Sequence, residues 1–199
     1  MLVIARACFC CAFATTLLSG MRSPAQEKAP KNTARLTPIP LFTGELKRLE
    51  PHLALATSGC VKGEFDGQKT IVTQLHVWQN RKKQAIPTPV GRSLPVTKDC
   101  EVSISVREEA AAGGKMNYKI IVASPLGSYT TLVERPKLGP VILTTQSRKA
   151  TVQDGVPVAV WAFGAFKGGN LLPIDQPLEP ELERADWALV LSIRLDKVK

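Results

Sequence analysis

Apolar and polar residues alternate with a period of two through most of this chain, the pattern of strands that bury one face. Val102, Ile104 and Val106 alternate with Glu101, Ser103, Ser105 and Arg107, the clearest case of one dry and one wet face. Ile71, Thr73, Leu75 and Val77 alternate with Val72, Gln74, His76 and Trp78, and Tyr118, Ile120 and Val122 with Asn117, Lys119 and Ile121. A long final strand is predicted where Trp187, Leu189, Leu191, Ile193 and Leu195 alternate with Ala188, Val190, Ser192 and Arg194. Two more apolar, β-branched runs lie between Val141 and Phe166. No amphipathic helical pattern exceeds two turns. The best helical segment is Pro180 to Trp187, with Leu182 and Ala185 turned inward.

The breaks between these runs agree with strands. Phe65-Asp66-Gly67-Gln68 and Gln153-Asp154-Gly155-Val156 set Asp-Gly between strand-like flanks, the composition of a type I′ hairpin turn. Ala110 to Lys115, with Gly113-Gly114, and Ser124-Pro125-Leu126-Gly127 are further turns. The predicted fold is all-β, an antiparallel β-sandwich or partly open barrel of about eight or nine strands with little helix. Two long loops interrupt it, over residues 79–99 and 167–186. Loops of that length on a β scaffold are functional or disordered.

The first 25 residues are set apart. Arg6 precedes the uncharged run from Ala7 to Leu18, and Ser23-Pro24-Ala25 offers small residues where signal peptidase reads them. This order predicts a secretory signal peptide over residues 1–25, since the run is shorter than the roughly 20 apolar residues of a membrane span. Residues 26–40 are polar and aperiodic and are expected to be a flexible linker, leaving 41–199 as one β-rich domain. Asn32, Asn80, Asn117 and Asn170 all lack the following x-Ser/Thr of a glycosylation site, which fits a bacterial source. The expected location is secreted or periplasmic, in the bacterial envelope.

Charge and cysteine content add to this picture. The chain holds 26 Lys and Arg against 17 Asp and Glu, a net +9, and only Arg6 and Arg22 fall in the leader. Such a balance favours an anionic polysaccharide, a lipid surface or another envelope protein, while export disfavours nucleic acid. Arg81, Lys82 and Lys83 in the first long loop are the candidate anion-binding residues, with Lys47-Arg48 and Arg148-Lys149 elsewhere. Cys8, Cys10 and Cys11 lie in the leader. Cys60 and Cys100 remain, an even pair in an exported chain, and are expected to form a disulfide contributing about 4 kcal/mol. Two thiols are the rival reading.

Catalytic patterns are thin. There is no Gly-x-Ser-x-Gly elbow, and His52 and His76 are the only histidines, with His76 inside a strand. Carboxylate pairs at Glu64 and Asp66, at Glu108 and Glu109, and among Asp175, Glu179, Glu181, Glu183 and Asp186 offer acid and base groups for glycan hydrolysis. Trp161, Phe163 and Trp187 read as core, Trp78 and Tyr129 as better sugar-stacking platforms. No CxxC, phosphate loop or dinucleotide fingerprint implies a metal or cofactor. Val141 to Thr145 followed by Ala150 to Gly155 resembles a hairpin pattern of outer-membrane secretin domains, over under a third of the chain and without that family's long lipid-facing strands. The expected function is an exported non-catalytic binding or envelope-structural protein meeting an anionic partner. The alternatives are a glycan-acting hydrolase using the loop carboxylates and a secretion-apparatus accessory protein.

Overall fold

The computed structural model describes residues 33–65, 67–87, 95–96, 100–166 and 173–198. The expected leader, and the first part of the expected linker, lie outside these residues. Within them the chain is an antiparallel β-sandwich with little helix, as the alternation predicts. One sheet is built from β1 (Thr33–Ile39), β2 (Thr57–Phe65), β6 (Cys100–Ala110), β7 (Met116–Ser124), β8 (Gly127–Glu134) and β10 (Ala150–Gln153). Their order across the sheet is β10-β1-β2-β6-β7-β8. The second sheet runs β4-β3-β12-β11-β9, from β3 (Lys69–Gln79), β4 (Lys82–Ala85), β9 (Thr144–Ser147), β11 (Val158–Phe166) and β12 (Ala185–Lys197). A two-residue strand, β5 (Pro95–Val96), also pairs with β3. The strands beyond the expected number are chiefly short ones, too brief for alternation to show.

Parity along β6, β7 and β12 decides which side chains enter the larger core. Val102, Ile104 and Val106 of β6, with Tyr118, Ile120 and Val122 of β7, meet Leu75 of β3 and Trp187, Leu189, Leu191 and Ile193 of β12 in one core. An aromatic group sits inside it, with Tyr118 edge-on to Phe163 at 5.6 Å and Phe163 edge-on to Trp187 at 6.3 Å. These are the offset and edge-to-face arrangements that ring quadrupoles favour. β12 is buried on both faces because a second, smaller core covers its far side. There Ala162, Ala188 and Val190 pack under Leu178 and Leu182, which flank and close the single-turn helix α1 (Glu179–Leu182). Leu182 and Ala185 do turn inward, although the chain is already a strand by Ala185.

Three expectations are overturned. The linker expected over 26–40 contains β1, whose Ala34 and Leu36 are core residues at 1% exposure and whose backbone is paired by β2 and β10 on either side. Both Asp-Gly turns were expected to close hairpins, yet each carries the chain from one sheet to the other: β2 to β3 at Gly67, β10 to β11 at Asp154-Gly155. Gly67 (φ +77°) and Gly155 (φ +79°) supply the left-handed backbone that either use requires. The two crossings are tied together, because Lys69 Nζ donates to both carboxylate oxygens of Asp154 at 2.8 and 2.9 Å in a nearly buried ion pair.

The third correction concerns the cysteines. No disulfide joins Cys60 and Cys100. On the paired strands Cys60 lies opposite Ser103, and Cys100 opposite Gly63. An offset of three residues separates them by about 10 Å along the strands and, being odd, puts their side chains on opposite faces of the sheet. Cys100 belongs to the core, whereas Cys60 points outward under the chain that follows β1. Bridging them would require a register shift of β2 against β6.

Candidate functional site

The cationic triplet is displayed by a hairpin, not by an irregular loop. β3 and β4 pair from His76↔Ala85 to Gln79↔Lys82, so a two-residue turn, Asn80-Arg81, joins them. Both turn residues have positive φ, 52° and 64°, as a type I′ turn demands. Asn tolerates that conformation; for Arg it costs roughly 1 kcal/mol relative to Gly. The long loop expected over 79–99 is therefore a hairpin up to Ala85, and residues 88–94 and 97–99 lie outside the described ones.

Arg81, Lys82 and Lys83 are all exposed, on a hairpin at the edge of the second sheet. Elsewhere Lys62, Lys115, Lys119 and Arg135 lie against Glu64, Glu134, Glu109 and Glu108. Among the described residues no carboxylate pairs with any of the three tip cations.

Lys83 lies across from Trp78 on the outer face of the sheet, next to His76. His76 is 6% exposed with both ring nitrogens buried and unpartnered. Burial, and secondarily the Lys83 charge, push its pKa down to about 4, so the ring is neutral at pH 7. It sits on the opposite sheet from both cysteines, so no thiol–imidazole pair forms. His52 is exposed on a 3-10 helix over Gly44–Leu53, an element the alternation did not predict because none of its residues is buried.

The acidic loop is also resolved into separate roles. Glu179 accepts a long bond from the Ala159 amide at 3.5 Å, at the bulge that opens β11. Glu181 is buried and faces Arg148, whose guanidinium donates to Gln146 Oε1 at 2.5 Å. Arg148 is driven towards neutrality by burial and held charged by Glu181. Asp175 and Glu183 are exposed. Glu108 and Glu109, adjacent on a strand, point to opposite faces and meet different cations. These positions do not assemble a carboxylate pair across a cleft. Among the described residues no three His, Cys, Asp or Glu groups could hold a metal ion. Asp66 lies outside them.

A shallow pocket of about 380 Å³ opens on the outer face of the first sheet, lined by Ile39, Leu41, Cys60, Glu101 and Ser103 among others. Burial, then the Glu101 carboxylate, raise the Cys60 thiol above its ordinary value, keeping it protonated and a poor nucleophile. The two expected sugar platforms are half-buried: Trp78 packs against the smaller core and Tyr129 against the larger. Exposed apolar residues that alternation missed include Leu46, Leu49 and Leu53, at 59, 51 and 44% exposure along the 3-10 helix beside Lys47 and Arg48. No helix among the described residues is long and apolar enough to cross a membrane. No family model, no curated protein and no solved structure matches this chain.

Proposed function

We propose that this protein is an exported, non-catalytic binding or envelope-structural module of a bacterial envelope, and that it meets an anionic partner through the β3–β4 hairpin tip. The observation that carries the reading is Arg81. It occupies a left-handed turn position where Gly would be free of strain, and it heads three adjacent exposed cations that meet no carboxylate among the described residues. Exposed, unneutralised positive charge attracts anions, and a cation kept at a turn position that strains it supports the reading. The leader-like segment and the absent catalytic pattern in the sequence support the remainder of the reading.

The test measures retention on a sulfated polysaccharide and on vesicles containing anionic phospholipid, as a function of salt. Arg81→Glu/Lys82→Glu/Lys83→Glu is expected to abolish retention with thermal stability unchanged. Arg81→Gly is expected to weaken retention while stability stays level or rises. Unaltered retention in the triple variant removes the tip from the reading. Loss on vesicles alone, produced by Leu46→Ser/Leu49→Ser and not by the tip variant, assigns the contact instead to a lipid surface at the 3-10 helix.

A further inference from the structure

Strands at the edge of a sheet present unpaired amide and carbonyl groups, and natural sheets blunt them with short strands, lysines, prolines or bulges. Three edges here follow that practice. β4, β9 and β10 have four residues each. Lys82 and Lys83 stand on β4, and Arg148-Lys149 links β9 to β10. β8 carries none of these devices. It is eight residues long, Gly127-Ser128-Tyr129-Thr130-Thr131-Leu132-Val133-Glu134, with no Lys, Arg or Pro. Its register against β7 is unbroken from Asn117↔Glu134 to Ser124↔Gly127.

The direction of its free backbone groups follows from one bond. The Arg135 amide donates to the Met116 carbonyl at 2.9 Å, continuing the β7–β8 ladder. Bonding alternates along an antiparallel pair, so Tyr129, Thr131 and Val133 bond to β7. Ser128, Thr130, Leu132 and Glu134 turn their amides and carbonyls to the open side. No strand among the described residues pairs with them, and their side chains are exposed, Leu132 at 55%.

We propose that β8 is a self-association edge, at which a second copy of this chain adds its own β8 antiparallel about a two-fold axis through Thr131. The sequence of the strand selects the partner and the register. Opposed residues must share a face, and the outward backbone groups must meet, which restricts the axis to Thr130 or Thr131 near the strand's middle. Centred on Thr131, Tyr129 lies opposite Val133 and Thr131 opposite itself on the core side, with Thr130 opposite Leu132 and Ser128 opposite Glu134 outside. Aromatic–β-branched and Thr–Thr neighbours are favourable, and no like charges meet. Centred on Thr130, Val133 would face Gly127 and lose its partner. A strand complementary to itself fits an isologous contact, in which both copies use the same patch.

Sedimentation of the full chain over two decades of concentration tests this, and the apparent mass is expected to rise from one chain to two. Thr130→Pro removes an outward amide while leaving the β7 ladder intact, and Leu132→Lys installs the missing guard. Both are expected to stay monomeric at every concentration. Thr131→Cys is expected to crosslink two chains on mild oxidation, since opposed Cα atoms at a non-bonded pair lie roughly 4.5 Å apart; Thr130→Cys, facing Leu132, is not. Wild-type chain that stays monomeric overturns the proposal, as does self-association of both Thr130→Pro and Leu132→Lys equal to wild type. Equal crosslinking of the two cysteine variants overturns the register. Capture of an extended peptide by a chain that remains monomeric overturns the choice of a second copy.

Discussion

Ser103→Cys is expected to create the disulfide that Cys60 and Cys100 do not form. Cys60 and Ser103 are directly opposed on β2 and β6 and share the outer face of the sheet. Opposed antiparallel residues have Cα atoms roughly 4.5–5.5 Å apart, inside the range a disulfide spans without moving the backbone. The bond would close a loop from residue 60 to 103. Chain-entropy arithmetic for a loop of that length gives up to about 4 kcal/mol, less any strain in the native bond. For a domain of this size each kcal/mol raises the melting temperature by roughly 2–4 °C, so the oxidised variant should melt up to roughly 8–16 °C above its reduced form. The assay pairs thermal unfolding, with and without reductant, with proteolytic mapping of the linked peptides. In wild type, the peptides of Cys60 and Cys100 should both be alkylated after unfolding without reductant. A wild-type Cys60–Cys100 crosslink would refute the register and the placement of the two thiols on opposite faces. Equal melting of the oxidised and reduced variant, with the bond formed, would refute the energetic reasoning.

Other predictions concern the buried polar groups and the sheet contact. The pKa of His76, about 4 in the fold against 6.5 as a free side chain, means the folded protein binds that proton less readily than the unfolded chain. Its stability is then complete above pH 6.5 and is lost as pH falls towards 4, by at most about 3 kcal/mol; urea midpoints for His76→Leu should vary less with pH than wild type across that window. A Cβ on Gly164 would lie 2.3 Å from the Trp187 carbonyl oxygen and 2.7 Å from the Ala188 Cα. Gly164→Ala should push β11 off β12 and cost about 1–3 kcal/mol in denaturant unfolding; an unchanged midpoint would contradict this packing. Lys69→Met leaves the Asp154 carboxylate unpaired and should cost about 3 kcal/mol, much of which Lys69→Met/Asp154→Leu should recover in equilibrium unfolding. If the double variant is as unstable as the single one, the ion pair is not the source of the loss.

Alternation by itself determined which residues of β6, β7 and β12 enter the larger core, because successive side chains leave a strand on opposite sides whatever the strand pairs with. Val102, Ile104, Val106, Tyr118, Ile120, Val122 and Trp187 are buried for that reason, and the parity of Cys100 with Val102 already pointed its thiol inward. What alternation cannot carry is pairing. Thr33–Ile39 alternates only briefly, through Ala34 and Leu36 before Pro38, and follows a polar stretch that hides it; it becomes a strand because β2 and β10 satisfy its backbone on both sides. An Asp-Gly turn has the same local geometry whether the chain returns to its own sheet or crosses to the other, so only the tertiary structure distinguished the two uses. The same holds for the candidate site. Arg81, Lys82 and Lys83 could be found as a charge run, but a two-residue turn with left-handed backbone at Arg81 exists only because β4 folds back on β3. The unguarded edge of β8 was equally invisible, since a strand is an edge only by virtue of what does not lie beside it. Local pattern decided which way side chains point; long-range pairing decided what they meet.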